Sequence, residues 1–114
     1  MEKREKSEIK VQSDAFVNIW NNRPDLRGRI FAINNNSENA IKGAFNKAMG
    51  VLPGVSDMAF IKSSGAILWI EWKTSVGSQS SHQVAWQKLV ESLGHEYVLV
   101  RSEQEFLKHI SAHE

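Results

Sequence analysis

Ser56-Asp57-Met58-Ala59-Phe60-Ile61-Lys62-Ser63-Ser64-Gly65-Ala66-Ile67-Leu68-Trp69-Ile70-Glu71-Trp72-Lys73 reads as strand, turn and strand. Ser63-Ser64-Gly65 fits a three-residue hairpin loop, which prefers glycine at its left-handed last position. Residues 66–70 are apolar on both faces, as in a central strand covered on both sides. With that loop, Lys62 faces Ala66. Five residues further along each strand, Asp57 faces Glu71. Facing residues share one face of a sheet, with Cβ atoms about 5 Å apart. Lys73 lies two beyond Glu71 and projects the same way. The pattern therefore predicts that Asp57, Glu71 and Lys73 converge, while Trp72 points into packing. A slip of one residue would part them.

Neighbouring carboxylates repel unless a positive charge lies between them. A hard divalent ion such as Mg²⁺ or Mn²⁺ meets that need with oxygen ligands and keeps positions for substrate phosphates. A lysine beside such a pair can orient or deprotonate water, or offset charge in a transition state. This is equipment for phosphodiester hydrolysis. The plainer alternative is an ion pair at a solvated strand end, of the kind that contributes little.

Outward from the hairpin, a helix is expected from about Ser7 to Asn21, with Ile9, Phe16, Ile19 and Trp20 near helical spacing. It should stop before Pro24, which disfavours helical geometry in the preceding residue. Arg29 to Asn34 reads as a strand and Asn34-Asn35-Asn36-Ser37 as a turn. A second helix follows, with Ile41, Ala44, Phe45 and Ala48 forming an apolar face and Gly50 a stop. After the hairpin, Thr74 to Ser81 is a polar loop. Ser80 and Gln83 form a capping box for a helix to about Leu93. Glu96 to Arg101 is a strand, and Ser102 with Glu105 opens a last helix. The order α-β-α-β-β-α-β-α implies an α/β fold, a mixed sheet flanked by helices.

The chain of 114 residues suits one domain, read as residues 1–114 with a charged arm at 1–6. With no cysteine, disulfides, thiolate metal sites and a cysteine nucleophile are excluded. No apolar run is long enough to span a membrane as a helix. The charged start leads into no apolar signal segment, so a cytoplasmic location is expected. A net charge of +1 gives no strongly basic total, which a nuclease with acidic metal ligands does not need. Lys3, Arg4, Lys6, Lys10, Arg23, Arg27 and Arg29 in the first quarter are candidate phosphate contacts or a solvated basic face. The four histidines show no tight ligand spacing. The four tryptophans are read as mostly core, with Trp20 or Trp72 as candidates for an interface.

Gly54-Val55-Ser56-Asp57, thirteen intervening residues, Glu71-Trp72-Lys73, then a loop and a helix starting Ser80-Ser81-His82-Gln83, resemble the PD-(D/E)XK nuclease superfamily. More narrowly, Gly50 to Asp57, Ile70 to Thr74 and Leu93 to Ser102 are similar to the virus-type replication-repair nuclease domain, VRR-NUC. The resemblance runs from about Glu8 to Ile110. Ser56 stands where the superfamily name has proline, a backbone rather than a chemical position.

The resemblance implies a restriction-endonuclease-like core. Asp57 and Glu71 would hold the metal, Lys73 would be the catalytic lysine, and Gln83 would line the site or merely cap its helix. It also implies a glutamate on the first helix near the metal. Glu8 fits, with Gln12 one turn on, and Glu38 competes. The implied activity is a Mg²⁺- or Mn²⁺-dependent DNA endonuclease with no organic cofactor. It would act as a homodimer on branched DNA such as four-way junctions, in repair, and would be bacterial or phage-encoded. The alternatives are a non-catalytic DNA-binding module on the same fold, a nuclease for flaps or other DNA structures, and a structural protein whose charges are incidental.

Overall fold

The computed structural model describes residues 6–34 and 40–114. Its elements are α1 (Glu8–Asn22), a 3₁₀ turn (Pro24–Leu26), β1 (Ile30–Ala32), α2 (Ala40–Ala48), β2 (Met58–Ile61), β3 (Ile67–Trp72), α3 (Ser81–Ser92), β4 (Glu96–Val100) and α4 (Glu103–His113). The expected order is borne out, with the 3₁₀ turn added. Lys3, Arg4, Asn35, Asn36, Ser37 and Glu38, named above, lie outside the described residues, as does the side chain of Ile41.

Local chemistry sets the helix ends. The Ser7 side chain accepts from the Lys10 N–H at the start of α1. The Ser80–Gln83 capping box is complete: the Gln83 N–H donates to Ser80 Oγ at 3.2 Å, and the Ser80 N–H donates to Gln83 Oε1 at 2.8 Å. Ser102 accepts from the Glu105 N–H.

The four strands form one sheet in the order β1-β2-β3-β4. β2 lies antiparallel to β1 and β3, while β3 and β4 are parallel, joined through α3. The hairpin register is the expected one, with Met58 opposite Ile70 and Ile61 opposite Ile67. Gly65 takes the left-handed conformation at φ 91° that its turn requires.

One face of the sheet carries Ile30, Met58, Phe60, Leu68, Ile70, Trp72 and Val100, all buried against α1 and α4. Trp72 is thus a core residue, its ring 5.1 Å from that of Phe106, and not an interface residue. The other face carries Ala59, Trp69, Glu71 and Tyr97, with α3 laid over β3 and β4. There Trp86 meets Trp69 edge-on at 5.0 Å, and Trp69 Nε1 donates to His95 Nδ1 at 2.8 Å.

α2 departs from expectation. Ala44, Phe45 and Ala48 were expected to be covered, and they are exposed. Phe45, Met49 and Leu52 keep 63%, 69% and 54% of their surface. The reason is topological. α1 and α4 cover one sheet face and α3 packs on the other, so the apolar side of α2 has no partner layer among the described residues.

Candidate active site

The site forms where the β2–β3 ladder runs out. β2 begins at Met58, so the Trp72 N–H has no strand carbonyl opposite it. The Asp57 carboxylate fills the gap, accepting from that N–H at 2.7 Å. The Asp57 carbonyl meanwhile accepts from the Ile33 N–H of the strand beyond, at 2.8 Å. Asp57 is thus tied to both neighbouring strands, and its carboxylate is fixed beside Glu71. Ser56, where the superfamily name has proline, is buried, and its hydroxyl donates to the Met58 carbonyl. It acts on the backbone and contributes no group to the site.

Glu71 is 1% exposed; among the described residues no N–H or hydroxyl donates to its carboxylate oxygens, and the Asp57 carboxyl lies within hydrogen-bonding reach of them. A buried carboxylate without such donors is costly as an anion. Burial pushes its pKa up to about 9; the adjacent Asp57 adds to the rise, Lys73 opposes it, and Glu8 raises it further. The same environment holds Asp57, Lys73 and Glu8 within electrostatic reach of one carboxylate. Two side-by-side carboxylates form a hard oxygen donor set that fits a divalent cation.

Glu8 and Gln12 reach the site from α1. Both line a cleft of about 690 Å³ that also has Asp57, Asn34 and Gln83 on its walls. Among the described residues, no three His, Asp or Glu side chains close into a single cluster. The Gln83 amide oxygen caps α3, and Gln83 also lies on the wall of the cleft.

Lys73 is half-buried, and its N–H donates to the Val100 carbonyl, so β4 holds its backbone as firmly as a strand residue. The loop after it folds back on its stem. A Cβ built on Gly77 would lie 3.1 Å from Thr74 Oγ1 and 3.6 Å from Lys73 Cδ. Arg101, at the end of β4, fastens this loop. Its Nη1 donates to the carbonyls of Thr74 at 2.6 Å and Gly77 at 2.7 Å. Gln79 Nε2 donates to Gln87 Oε1 at 2.9 Å and to the Tyr97 hydroxyl at 3.2 Å. Burial, then the nearby Glu71, pushes that hydroxyl up to about 12.

The sequence reading missed Arg101 and Gln79. Arg101 reaches back to loop carbonyls 27 and 24 positions earlier, and Gln79 ties the loop to α3 and β4, contacts that no local pattern marks. Gly54 is similar: it takes φ +87° and approaches α3 so closely that a Cβ would collide with the His82 carbonyl. This contact seats the turn before Asp57 against the N-terminus of α3.

Several basic residues proposed as phosphate contacts are already engaged. Arg23 pairs with Asp25 and Glu114, and Lys6 and Lys10 pair with Asp14. Arg27 donates to the Trp20 carbonyl and lies 4.8 Å over its ring. Arg29 donates to the Ile61 carbonyl and lies over Phe60.

No protein-family model matches the chain, and no curated protein matches it. Among solved structures, a VRR_NUC domain protein is similar in fold. It has a TM-score of 0.74 at 19% identity and covers 95% of this chain and 88% of its own. The fold expected from the resemblance, a restriction-endonuclease-like mixed sheet flanked by helices, is the fold of this chain.

Proposed function

We propose that the chain is a metal-dependent nuclease domain of the VRR-NUC type that hydrolyses phosphodiester bonds in DNA. The observation that carries this is the buried Glu71 carboxyl, to which no N–H donates among the described residues, set against the fixed carboxylate of Asp57. A structural protein with incidental charges gains nothing from a buried carboxyl set against another. A divalent cation, Mg²⁺ or Mn²⁺, held by Asp57 and Glu71 supplies Lewis-acid polarisation of the phosphoryl oxygens. Glu8, on the cleft wall, would contribute as a further ligand or through water. Lys73, on the same strand face, orients the attacking water or offsets charge in the transition state. Gln83 and Gln12 offer amides along the cleft wall.

The substrate in this reading is branched DNA such as a four-way junction, cut by a homodimer. One chain carries one such site, and a two-fold symmetric junction needs two cuts. The open apolar run Phe45, Met49 and Leu52 supplies a surface for a second copy.

The test is cleavage of end-labelled four-way junction and matched linear duplex with Mg²⁺, Mn²⁺ or EDTA. Metal-dependent cutting of the junction is expected. Lys73→Ala should lower it about 10²- to 10⁴-fold while leaving folding and DNA binding in place. DNA binding without cleavage at any metal concentration would favour the non-catalytic module.

A further inference from the structure

Gln79 sits at the joint between the loop after Lys73 and α3, directly before the N-cap Ser80. Its amide NH2 makes two bonds at once. Nε2 donates to Gln87 Oε1 at 2.9 Å, further along α3, and to the Tyr97 hydroxyl on β4 at 3.2 Å. Both acceptors are themselves held. Gln87 belongs to α3, and Tyr97 is 7% exposed, with its ring 6.2 Å from that of Trp86 on the same helix. Fixing a long amide side chain costs rotamer entropy. Here that cost holds the Gln79–Ser80 junction in place against β4.

The next bonds lead from that junction to the cleft. The Ser80 N–H donates to Gln83 Oε1 at 2.8 Å, and the Gln83 N–H donates to Ser80 Oγ at 3.2 Å. The capping box thus commits the Gln83 amide oxygen, and the orientation of that amide follows the position of Ser80. With its oxygen spent on the cap, the side chain has its NH2 to offer. Gln83 lies on the wall of the cleft together with Asp57 and Glu8. An amide NH2 is purely a donor, the polarity that suits a phosphoryl oxygen.

We propose that Gln79, gripped by Tyr97 and Gln87, is a positioning residue that sets the Gln83 amide at the cleft, so that its NH2 meets a phosphoryl oxygen of the DNA. The proposal rests on the nuclease reading and deepens it, because it makes the loop after Lys73 the link between β4 and a substrate-contacting amide. Gln79 touches no reacting atom. It acts through Ser80, and its loss lets the cap and the Gln83 amide drift together.

The experiment is a double-substitution cycle on the full chain, read by Mg²⁺-dependent cleavage of the four-way junction. Gln79→Met keeps the length of the side chain and removes the donor; it should lower kcat about tenfold with KM held within about twofold. In a Gln83→Met background the same change should have no further effect, because Gln79 acts through that amide. Tyr97→Phe keeps the ring against Trp86 and the Gln87 bond, and should lower kcat by about threefold. Amide hydrogen exchange reads the same link without cleavage. The Ser80 N–H should exchange about tenfold faster in Gln79→Met, with the middle of α3 unchanged. Losses in kcat that add fully in the double variant overturn the proposal, as does a Ser80 N–H whose exchange Gln79→Met leaves alone. A wild-type chain that cuts no DNA, while Gln79→Met still releases the Ser80 N–H, sinks the nuclease reading and leaves the Gln79 linkage standing.

Discussion

On the face covered by α1 and α4, Phe60, Leu68, Ile70 and Val100 are fully buried, and all are apolar. On the opposite face the sheet carries Glu71, equally buried but with no N–H donating to it among the described residues, and Ile61 and Phe31 at 39% and 43% exposure. The first face is complete within one chain. The second leaves a pair of adjacent carboxyls and an apolar margin open among the described residues. The proposed function draws on the second face for Glu71 and on α1, which covers the first, for Glu8.

Substitutions on the two faces should therefore part company. Glu71→Gln is expected to cost at least about 10³-fold in cleavage rate, as loss of a group central to charge stabilisation does, while the protein stays folded. Phe60→Ala should lower stability by about 3–5 kcal/mol through the cavity it leaves, measurable by urea denaturation. pH sharpens the contrast. Because folding raises the Glu71 pKa, its contribution to metal-free stability is full below 4.5 and is lost as pH rises toward about 9. Melting temperature in EDTA should fall across that window, and Glu71→Gln should flatten the fall. A Glu71→Gln protein with an unchanged pH profile would break the comparison.

A smaller effect is expected where the two faces meet the loops. Gly54→Ala forces a Cβ into the His82 carbonyl at a positive φ, which should destabilise by roughly 2–3 kcal/mol and displace Asp57. Smaller still is Arg101→Gln. With the Thr74 and Gly77 carbonyls released, Lys73 loses its fixed surroundings, and kcat should drop about tenfold with KM little changed. Arg101→Lys, a single point donor, should restore only part of it. An equal loss in kcat and in melting temperature, unrelieved by lysine, would reduce Arg101 to a structural residue.

The hairpin was legible because register follows from turn length, and a three-residue loop ending in Gly65 fixes every pair down to Asp57 and Glu71. Helix starts were legible because Ser7, Ser80 and Ser102 act within one turn of themselves. The open side of α2 was not, since an apolar stripe looks the same whether its partner is in the chain or outside it. Nor was the link from Asp57 to the Trp72 N–H, which depends on where β2 stops, or the Arg101 clamp, which depends on how a loop folds back. Glu8 was reached through the resemblance, and the structure places it on the wall of the same cleft as Asp57.

The central claim is that Asp57 and Glu71 together hold a divalent cation, and calorimetric titration of the metal-free protein with Mn²⁺ tests it most directly. The account predicts saturable binding at neutral pH, weakened at least tenfold by Asp57→Asn or Glu71→Gln and accompanied by proton release, since the buried Glu71 must ionise to coordinate. Binding of equal affinity in the wild type and both variants, or none in the wild type, would contradict it.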